Sequence, residues 1–381
     1  NTTAVTSAYA SFPSNTAQGG DIWFGPNVLP FLPVADGNYA FHTFMHELGH
    51  EVFSIGAYIR PSRPTADPAT ILRPPLPQVP EHPALVAAVE RLAEGQPAGF
   101  NPQMAAKKDL PDEVIEWADV IICHHLEHTW LVPQWSRIRH KRVVWRTVGQ
   151  STHGNEWMMQ GLRADGLQIV RYSPKERAIP EYAGEDALIR FWMDPDEWGG
   201  WTGDDARVIN ITQSLYRRSL EDDRRTLKPA GMQWTNWQFW EMATKELPRR
   251  PAGPESEVIG GMGALSLPDM QALLRSARAY LYTGTQPASY TLGLLEALMT
   301  GIPVVSIGPS WHGMWPYSPD LFEGHELAPL WSDRPSEARA HLERLLADHA
   351  LAREVSEAQR EEAVRVFGKA TVMDQWREFL G

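Results

Sequence analysis

Short apolar segments alternate with amphipathic segments along most of this chain, and this alternation constrains the fold more than any other feature. Strand-like runs such as "ARVINIT" and "IPVVSIG" are interleaved with helix-like runs such as "YTLGLLEALMTG". This order predicts parallel sheets with helices on both faces. Two such series flank a turn-rich joint, "MDPDEWGGWTGDD". We therefore expect an α/β protein with two doubly wound, Rossmann-like domains facing each other across a cleft. In the second series we interpret "SEVIGG" as a strand that leads into a glycine-rich turn.

The charge and composition of the chain disfavour several classes of protein. The 381 residues carry a net charge of −12, from 47 acidic and 35 basic side chains, which disfavours a protein whose main task is to grip nucleic-acid backbones. No run of ~18 apolar residues exists, so we expect no transmembrane helix. We see no secretory signal, and the single cysteine, Cys123, fits a reducing compartment. We therefore expect a cytoplasmic location.

The most informative segment is "SYTLGLLEALMTGIPVVS". It predicts a helix from about Tyr290 to Thr300, with Gly301 as its C-cap, that follows a polar loop at the carboxyl end of a strand. The free amides and the dipole of such a helix N-terminus suit an anion, for example a diphosphate. Glu296 lies among apolar neighbours in this helix. It is either a glutamate at the helix edge or a carboxylate that accepts hydrogen bonds from two hydroxyl groups, as a ribose would offer.

This segment resembles the signature of the retaining GT-B glycosyltransferases of the "group one" family. There a glutamate is followed, after seven residues, by a second glutamate that opens the pattern "EA(M/L)xxGxPVV". The run "LLEALMTGIPVVS" places Glu296 on the second glutamate, which in that family holds the donor ribose. Ala288 stands at the position of the first glutamate, a departure that bears on the usual contact to the donor sugar. The resemblance also implies that Thr291 and Leu292, at the start of the helix, bind the donor phosphates.

Further residues are implied by the same resemblance. "SFPSNTAQGGD" is similar to the family's first strand–helix loop, in which Gly19 and Gly20 would let the backbone approach the donor phosphates or the acceptor. "ADVIICHH" resembles a family segment that places His124 in the cleft as a catalytic residue; a strand-end histidine bonded by the backbone is the alternative. Arg218 and Lys228 are our candidates for the cations that neutralise the leaving diphosphate, although a solvated charge run would look the same.

The resemblance implies a glycosyltransferase that moves a sugar from a nucleotide-diphosphate donor to an acceptor hydroxyl with retention. It implies no metal and no other cofactor. We expect the acceptor-binding domain at 1–195, with the C-terminal helix 370–381 packing back on it, and the donor-binding domain at 196–369. The acceptor stays open among a glycan, a lipid, a protein and a modified nucleobase. The alternative is a catalytically impaired binding protein of the same fold, and Ala288 is its best argument.

A second pattern, "HELGH", matches the H-E-x-x-H motif of zinc metallopeptidases. On one helix, His46 and His50 would share a face and Glu47 would act as the base. No third ligand follows at the spacing of the extended motif. We instead expect Gly49 to end a helix and Val52 to start the second strand. The two histidines would then lie on different elements, and a zinc peptidase is a remote alternative.

Overall fold

The chain divides into two compact units, Asn1–Ile189 together with Arg377–Gly381, and Arg190–Trp376. A computed structural model provides the coordinates, and each unit is described by itself. The structure describes residues 3–7, 45, 47–54, 82–97, 100, 105–106, 109–124, 128–147, 151–211, 236–253, 256–283, 290–308 and 330–381.

The first unit is built on a parallel sheet of six strands in the order β2-β1-β3-β4-β5-β6. The strands are β1 (Thr3–Ser7), β2 (Glu51–Ser54), β3 (Val120–His124), β4 (Arg142–Arg146), β5 (Gln168–Arg171) and β6 (Ala187–Leu188). The helices described here are α1 (Pro83–Arg91), α2 (Asp112–Trp117), α3 (His128–Ile138) and α4 (His153–Ala164). Consecutive residues of β3, Ile121 and Ile122, are both fully buried, as expected for a parallel sheet covered on both faces.

The second unit contains a parallel sheet of five strands in the order β11-β10-β9-β7-β8. The strands are β7 (Asp205–Ile211), β8 (Arg249–Ala252), β9 (Ala277–Tyr282), β10 (Val304–Ile307) and β11 (Trp331–Ser332). The helices are α5 (Asn236–Thr244), α6 (Leu267–Ser276), α7 (Leu292–Thr300), α8 (Pro335–Ala347) and α9 (His349–Phe367), and α10 (Lys369–Leu380) continues into the first unit. There Arg142 donates a hydrogen bond to the Leu380 carbonyl at 2.9 Å. These two sheets confirm the predicted α/β class.

The strand that we placed at "SEVIGG" is wrong. Ser256–Ile259 forms a short 3₁₀ helix, and the strand lies earlier, at β8. β8 contains Pro251, which has no amide hydrogen to donate to a ladder. Because β8 is the edge strand of its sheet, the proline is tolerated there. The glycine turn after β8 is tight, since a Cβ on Gly261 would lie 2.6 Å from the carbonyl oxygen of Pro251.

The junction predicted within "HELGH" is confirmed. Gly49 has φ +89°, the left-handed conformation that commonly ends a helix, and the amide of His50 bonds back to the Met45 carbonyl at 3.0 Å. Strand β2 begins at Glu51, one residue before the predicted start. His50 therefore lies outside the helix, which removes the shared helix face that a zinc site would need. His46 itself lies outside the described residues.

Candidate functional site

The second sheet reverses its direction of winding between β7 and β9. Strand β8 lies on one side of β7, whereas β9, β10 and β11 follow in order on the other side. In open α/β sheets, ligands bind outside the carboxyl ends of the strands at such a reversal. The carboxyl ends of β7 and β9, together with the helix that follows β9, are therefore the candidate site.

That helix, α7, is fixed by local sequence signals at both ends. Thr291 is its N-cap, and the threonine hydroxyl accepts a hydrogen bond from the Leu294 amide at 3.3 Å. Gly301 ends the helix with φ +94°. Buried apolar side chains anchor its inner face: Leu294, Leu295, Ala297, Leu298 and Met299. The first amides of a helix have no acceptor within it and form the positive end of its dipole.

The first turn of α7 lies against the end of β7. A Cβ placed on Gly293 would be 3.8 Å from the Ile211 carbonyl oxygen and 3.9 Å from the Tyr280 hydroxyl. Glu296, one turn further along α7, is half-buried. Burial raises the pKa of Tyr280 above its ordinary value of 10.0, and the negative charge of Glu296 raises it further. Glu296 thus follows directly after the turn of α7 that adjoins the end of β7.

Two polar residues of this site were not singled out from the sequence. Asn210, on β7, is 1% exposed and donates a hydrogen bond from Nδ2 to the Leu281 carbonyl at 2.7 Å. Tyr280, on β9, is equally buried and donates from its hydroxyl to the Ile211 carbonyl at 2.9 Å. The available signal was a polar side chain inside each apolar strand, "ARVINIT" and "RAYLYTG". A buried polar group needs a partner, and these partners are distant in sequence.

The structure brings together the three predicted donor-site residues on α7, namely Thr291, Leu292 and Glu296. His124 is the last residue of β3 in the first unit, and β3 adjoins β1 where the first sheet reverses its winding. The orientation of the His124 side chain is outside the described part of the chain. The other predicted positions also lie outside it: Gly19, Gly20, Arg218, Lys228 and Ala288. Their roles stay predictions.

The first unit carries a buried ionic cluster at the carboxyl ends of β4 and β5. Arg171, Glu156 and Glu176 are all 0% exposed. The Arg171 guanidinium donates to both carboxylate oxygens of Glu156, at 2.6 and 2.8 Å, and lies 3.9 Å from Glu176. Burial of charges of both signs requires this pairing, because an unpaired ion in the interior is strongly unfavourable.

Glu176 forms hydrogen bonds to three segments of the first unit. Its carboxylate accepts hydrogen bonds from the Thr147 hydroxyl at 2.7 Å, the Ser151 amide at 3.0 Å and the Tyr172 amide at 3.3 Å. Thr147 directly follows β4, and Tyr172 directly follows β5. Complete burial raises the pKa of Glu176 from 4.5 to about 7, and Arg171 and the hydrogen bonds offset part of that rise.

This raised pKa predicts a pH-dependent stability. The folded chain keeps the Glu176 proton up to about pH 7, whereas the unfolded chain releases it near 4.5. The folded state therefore binds more protons in this window, and its stability falls as the pH rises through it. Between about pH 5 and about pH 7.5, the free energy of unfolding should fall by about 2 kcal/mol more in the wild type than in Glu176→Gln. Urea unfolding followed by tryptophan fluorescence measures this, and parallel pH profiles would contradict it.

Within the described residues, no group of three or more histidine, cysteine, aspartate or glutamate side chains is placed to hold a metal ion. In the same part of the chain, no helix combines the length and apolar character that crossing a membrane requires.

Comparison with known proteins bears on the class of the molecule. Residues 218–380 match a family model described as "Glycosyl transferase-like". This range contains α7 and Glu296. No curated protein sequence matches the chain.

Solved structures show the fold. The chain is similar to a glycosyltransferase from Rickettsia africae (11% identity, TM-score 0.62, 99% of this chain and 97% of that one). It is also similar to sucrose-phosphate synthase from Thermosynechococcus elongatus (13% identity, TM-score 0.57, 100% and 98%). A third is Anabaena HepE in complex with UDP and glucose (13% identity, TM-score 0.54, 100% and 99%). The chain spans only 59% of the length of another match, TarM (12% identity, 74% of this chain, TM-score 0.53).

The fold of the chain is therefore the GT-B fold, with two parallel sheets flanked by helices. Together with the match over residues 218–380, this supports the classification of the chain as a glycosyltransferase.

Proposed function

We propose that this chain transfers a sugar from a nucleotide-diphosphate donor to an acceptor hydroxyl, with retention of the anomeric configuration and without a metal ion or other cofactor. The observation that carries the proposal is the end of the second sheet. There the Thr291-capped N-terminus of α7 lies beside the ends of β7 and β9, and the half-buried Glu296 follows one turn later on the same helix, inside the segment that matches the glycosyltransferase family model.

In this proposal α7 supplies two interactions to the donor. The amides of Leu292 and Gly293, with the helix dipole behind them, bind the diphosphate. Glu296 accepts hydrogen bonds from the two ribose hydroxyls, and such bonds to a charged acceptor are among the stronger ones in proteins. UDP is the first nucleotide to test, because HepE, a structural neighbour, forms a complex with UDP.

The transfer itself follows a front-face course. The bond from the anomeric carbon to the diphosphate oxygen breaks while the bond to the acceptor oxygen forms on the same face. The acceptor proton passes to the leaving diphosphate, so the protein needs no nucleophile of its own. The negative charge that develops on the diphosphate calls for fixed cations and N–H donors. We assign that task to Arg218, Lys228 and the α7 amides, and we place His124, Gly19 and Gly20 at the donor or the acceptor.

A thermal-shift screen tests nucleotide binding. A ligand present at 100 times its dissociation constant adds about 2.7 kcal/mol to the stability of the folded state. We expect UDP, GDP or ADP to raise the melting temperature by a few degrees, with the matching nucleoside as a control that lacks the diphosphate. The rise should be the same in EDTA and in Mg²⁺ if no metal is required. A flat response to all three diphosphates would contradict the proposal.

The compartment and the acceptor belong to the same proposal. Cys123 is buried on β3 and forms no disulfide, which agrees with a reducing, cytoplasmic setting. The acceptor is a hydroxyl of a glycan, a lipid, a protein or a modified nucleobase.

A further inference from the structure

The backbone pairing between β7 and β9 stops before either strand ends. The last paired residues are Ile209 and Tyr280. Beyond them, among the described residues, β7 is paired with β8 alone, where Asn210 and Ile211 lie opposite Pro251 and Ala252. The ends of β7 and β9 therefore separate at the place where the sheet reverses its winding.

Side-chain hydrogen bonds connect the ends of β7 and β9, where the backbone pairing has stopped. The Tyr280 hydroxyl donates to the Ile211 carbonyl at 2.9 Å and accepts from the Ile211 amide at 3.3 Å. Asn210 donates to the Leu281 carbonyl at 2.7 Å. The side chains of Tyr280 and Asn210 are each only 1% exposed. The Tyr280 hydroxyl thus forms hydrogen bonds with both the carbonyl and the amide of Ile211, the last residue of β7.

The same oxygen adjoins the first turn of α7. A Cβ on Gly293 would lie 3.9 Å from the Tyr280 hydroxyl and 3.8 Å from the Ile211 carbonyl oxygen. Tyr280 also runs alongside β10, because its amide bonds to the Pro303 carbonyl at 2.8 Å. Its main chain is therefore fixed in the centre of the sheet, while its hydroxyl reaches both the end of β7 and the start of α7.

We propose that Tyr280 is a positioning residue for the nucleotide diphosphate: its hydroxyl fixes the end of β7 against the first turn of α7, and so sets the direction of the α7 amides. This inference rests on the proposed function. Tyr280 itself does not touch the donor. Loss of its hydroxyl should weaken nucleotide binding, because two hydrogen bonds that fix the end of β7 disappear together.

The chain offers a matched control in Gln359 on α9. Its side-chain amide also holds both backbone groups of one residue, accepting from the Val304 amide at 2.7 Å and donating to the Val304 carbonyl at 2.9 Å. Gln359 is 2% exposed, so it is as buried as Tyr280. Val304 is the first residue of β10, at the opposite end of that strand from the carboxyl edge. Gln359→Met therefore removes a comparable bridge that has no part in the proposed site.

The test is calorimetric titration of UDP, GDP and ADP into wild type, Tyr280→Phe and Gln359→Met. We expect Tyr280→Phe to weaken binding of the preferred diphosphate by about tenfold and Gln359→Met by less than about twofold, although both lower the melting temperature. Equal affinities in wild type and Tyr280→Phe, or equal losses in both variants, would overturn the positioning role alone. A wild type that binds none of the three would overturn the proposed function, and the positioning role with it.

Hydrogen exchange on the wild type provides a measurement that does not depend on either variant folding. Saturation with the preferred diphosphate should slow exchange of the Ile211 amide more than that of the Val304 amide. Equal effects on both amides would show that the Tyr280 bridge is not coupled to the ligand, and would overturn the inference.

Discussion

Replacing Glu296 by glutamine is expected to lower kcat/KM for the nucleotide sugar by about 10²- to 10³-fold, on the basis that two hydrogen bonds to a charged acceptor are worth about 3–4 kcal/mol together. Glutamine keeps the shape of the side chain but removes its charge, and it presents only one acceptor oxygen to the two ribose hydroxyls. Glu296 is half-buried on a helix whose apolar face is anchored by other residues. The fold should therefore survive the change.

Glu343→Gln on α8 is the control for this experiment. Glu343 also lies on a helix of the second unit, but its side chain is 51% exposed and pairs with Arg339 four residues earlier. Steady-state kinetics should show wild-type kcat/KM for Glu343→Gln. A Glu296→Gln enzyme with wild-type kcat/KM would show that this carboxylate has no part in donor binding or transfer.

Replacing Arg171 by methionine is expected to lower the free energy of unfolding by about 3–5 kcal/mol, the typical effect of removing one partner from a buried ion pair. Arg171 donates two hydrogen bonds to Glu156 and a further one from Nε to the Gly184 carbonyl at 3.0 Å. Without the guanidinium, Glu156 and Glu176 stay buried with no cation in this cluster. Total stability is typically only about 5–15 kcal/mol, so the loss is a large part of it.

Urea unfolding of wild type, Arg171→Met and Arg365→Met measures this effect. Arg365 makes a bidentate pair with Glu362, but its side chain is 68% exposed. Exposed pairs contribute about 0–1 kcal/mol, so Arg365→Met should change stability little. If the free energy of unfolding falls by the same small amount in both arginine variants, the buried cluster does not stabilise the fold as proposed.

Local patterns in the sequence account for much of the fold and for part of the site. The apolar runs "ARVINIT" and "IPVVSIG" located β7 and β10, whereas β8 was placed wrongly. A glycine at a helix end resolved the "HELGH" stretch in favour of a helix–strand junction. The same kind of signal placed Gly301 at the end of α7, and the observed N-cap, Thr291, lies one residue after the predicted start at about Tyr290. These features depend on a few neighbouring residues, and this is why they could be predicted.

Two helices whose local residues disfavour a helix were not predicted from the sequence. Helix α3 contains Pro133 in its interior, and α4 contains Gly154 and Gly161, all of which lower helix propensity. Tertiary packing stabilises both helices: Leu131 and Ile138 of α3 and Met159 of α4 are fully buried in the core of the first unit. Packing against distant residues outweighs propensity, and the local sequence does not show it.

The polar contacts within each unit could not be predicted from the sequence, for a related reason. Tyr280 bonds to Ile211, 69 positions earlier in the chain, and Arg171 bonds to Glu156 across a helix and a strand. Tyr280 and Arg171 lie within strands, and only the folded topology brings them to Ile211 and Glu156. Their partners could not be named before the strand order was known.

Donor turnover measures directly whether this chain transfers a sugar from a nucleotide-diphosphate donor. The purified protein is incubated with radiolabelled nucleotide sugars, one donor at a time, and release of the nucleoside diphosphate is followed with wild type and Glu296→Gln. We expect release from at least one donor, by transfer or by hydrolysis, with the anomeric configuration retained in the product and with Glu296→Gln nearly inactive. Wild-type protein that releases no nucleoside diphosphate from any donor, or a product with inverted configuration, would contradict this expectation.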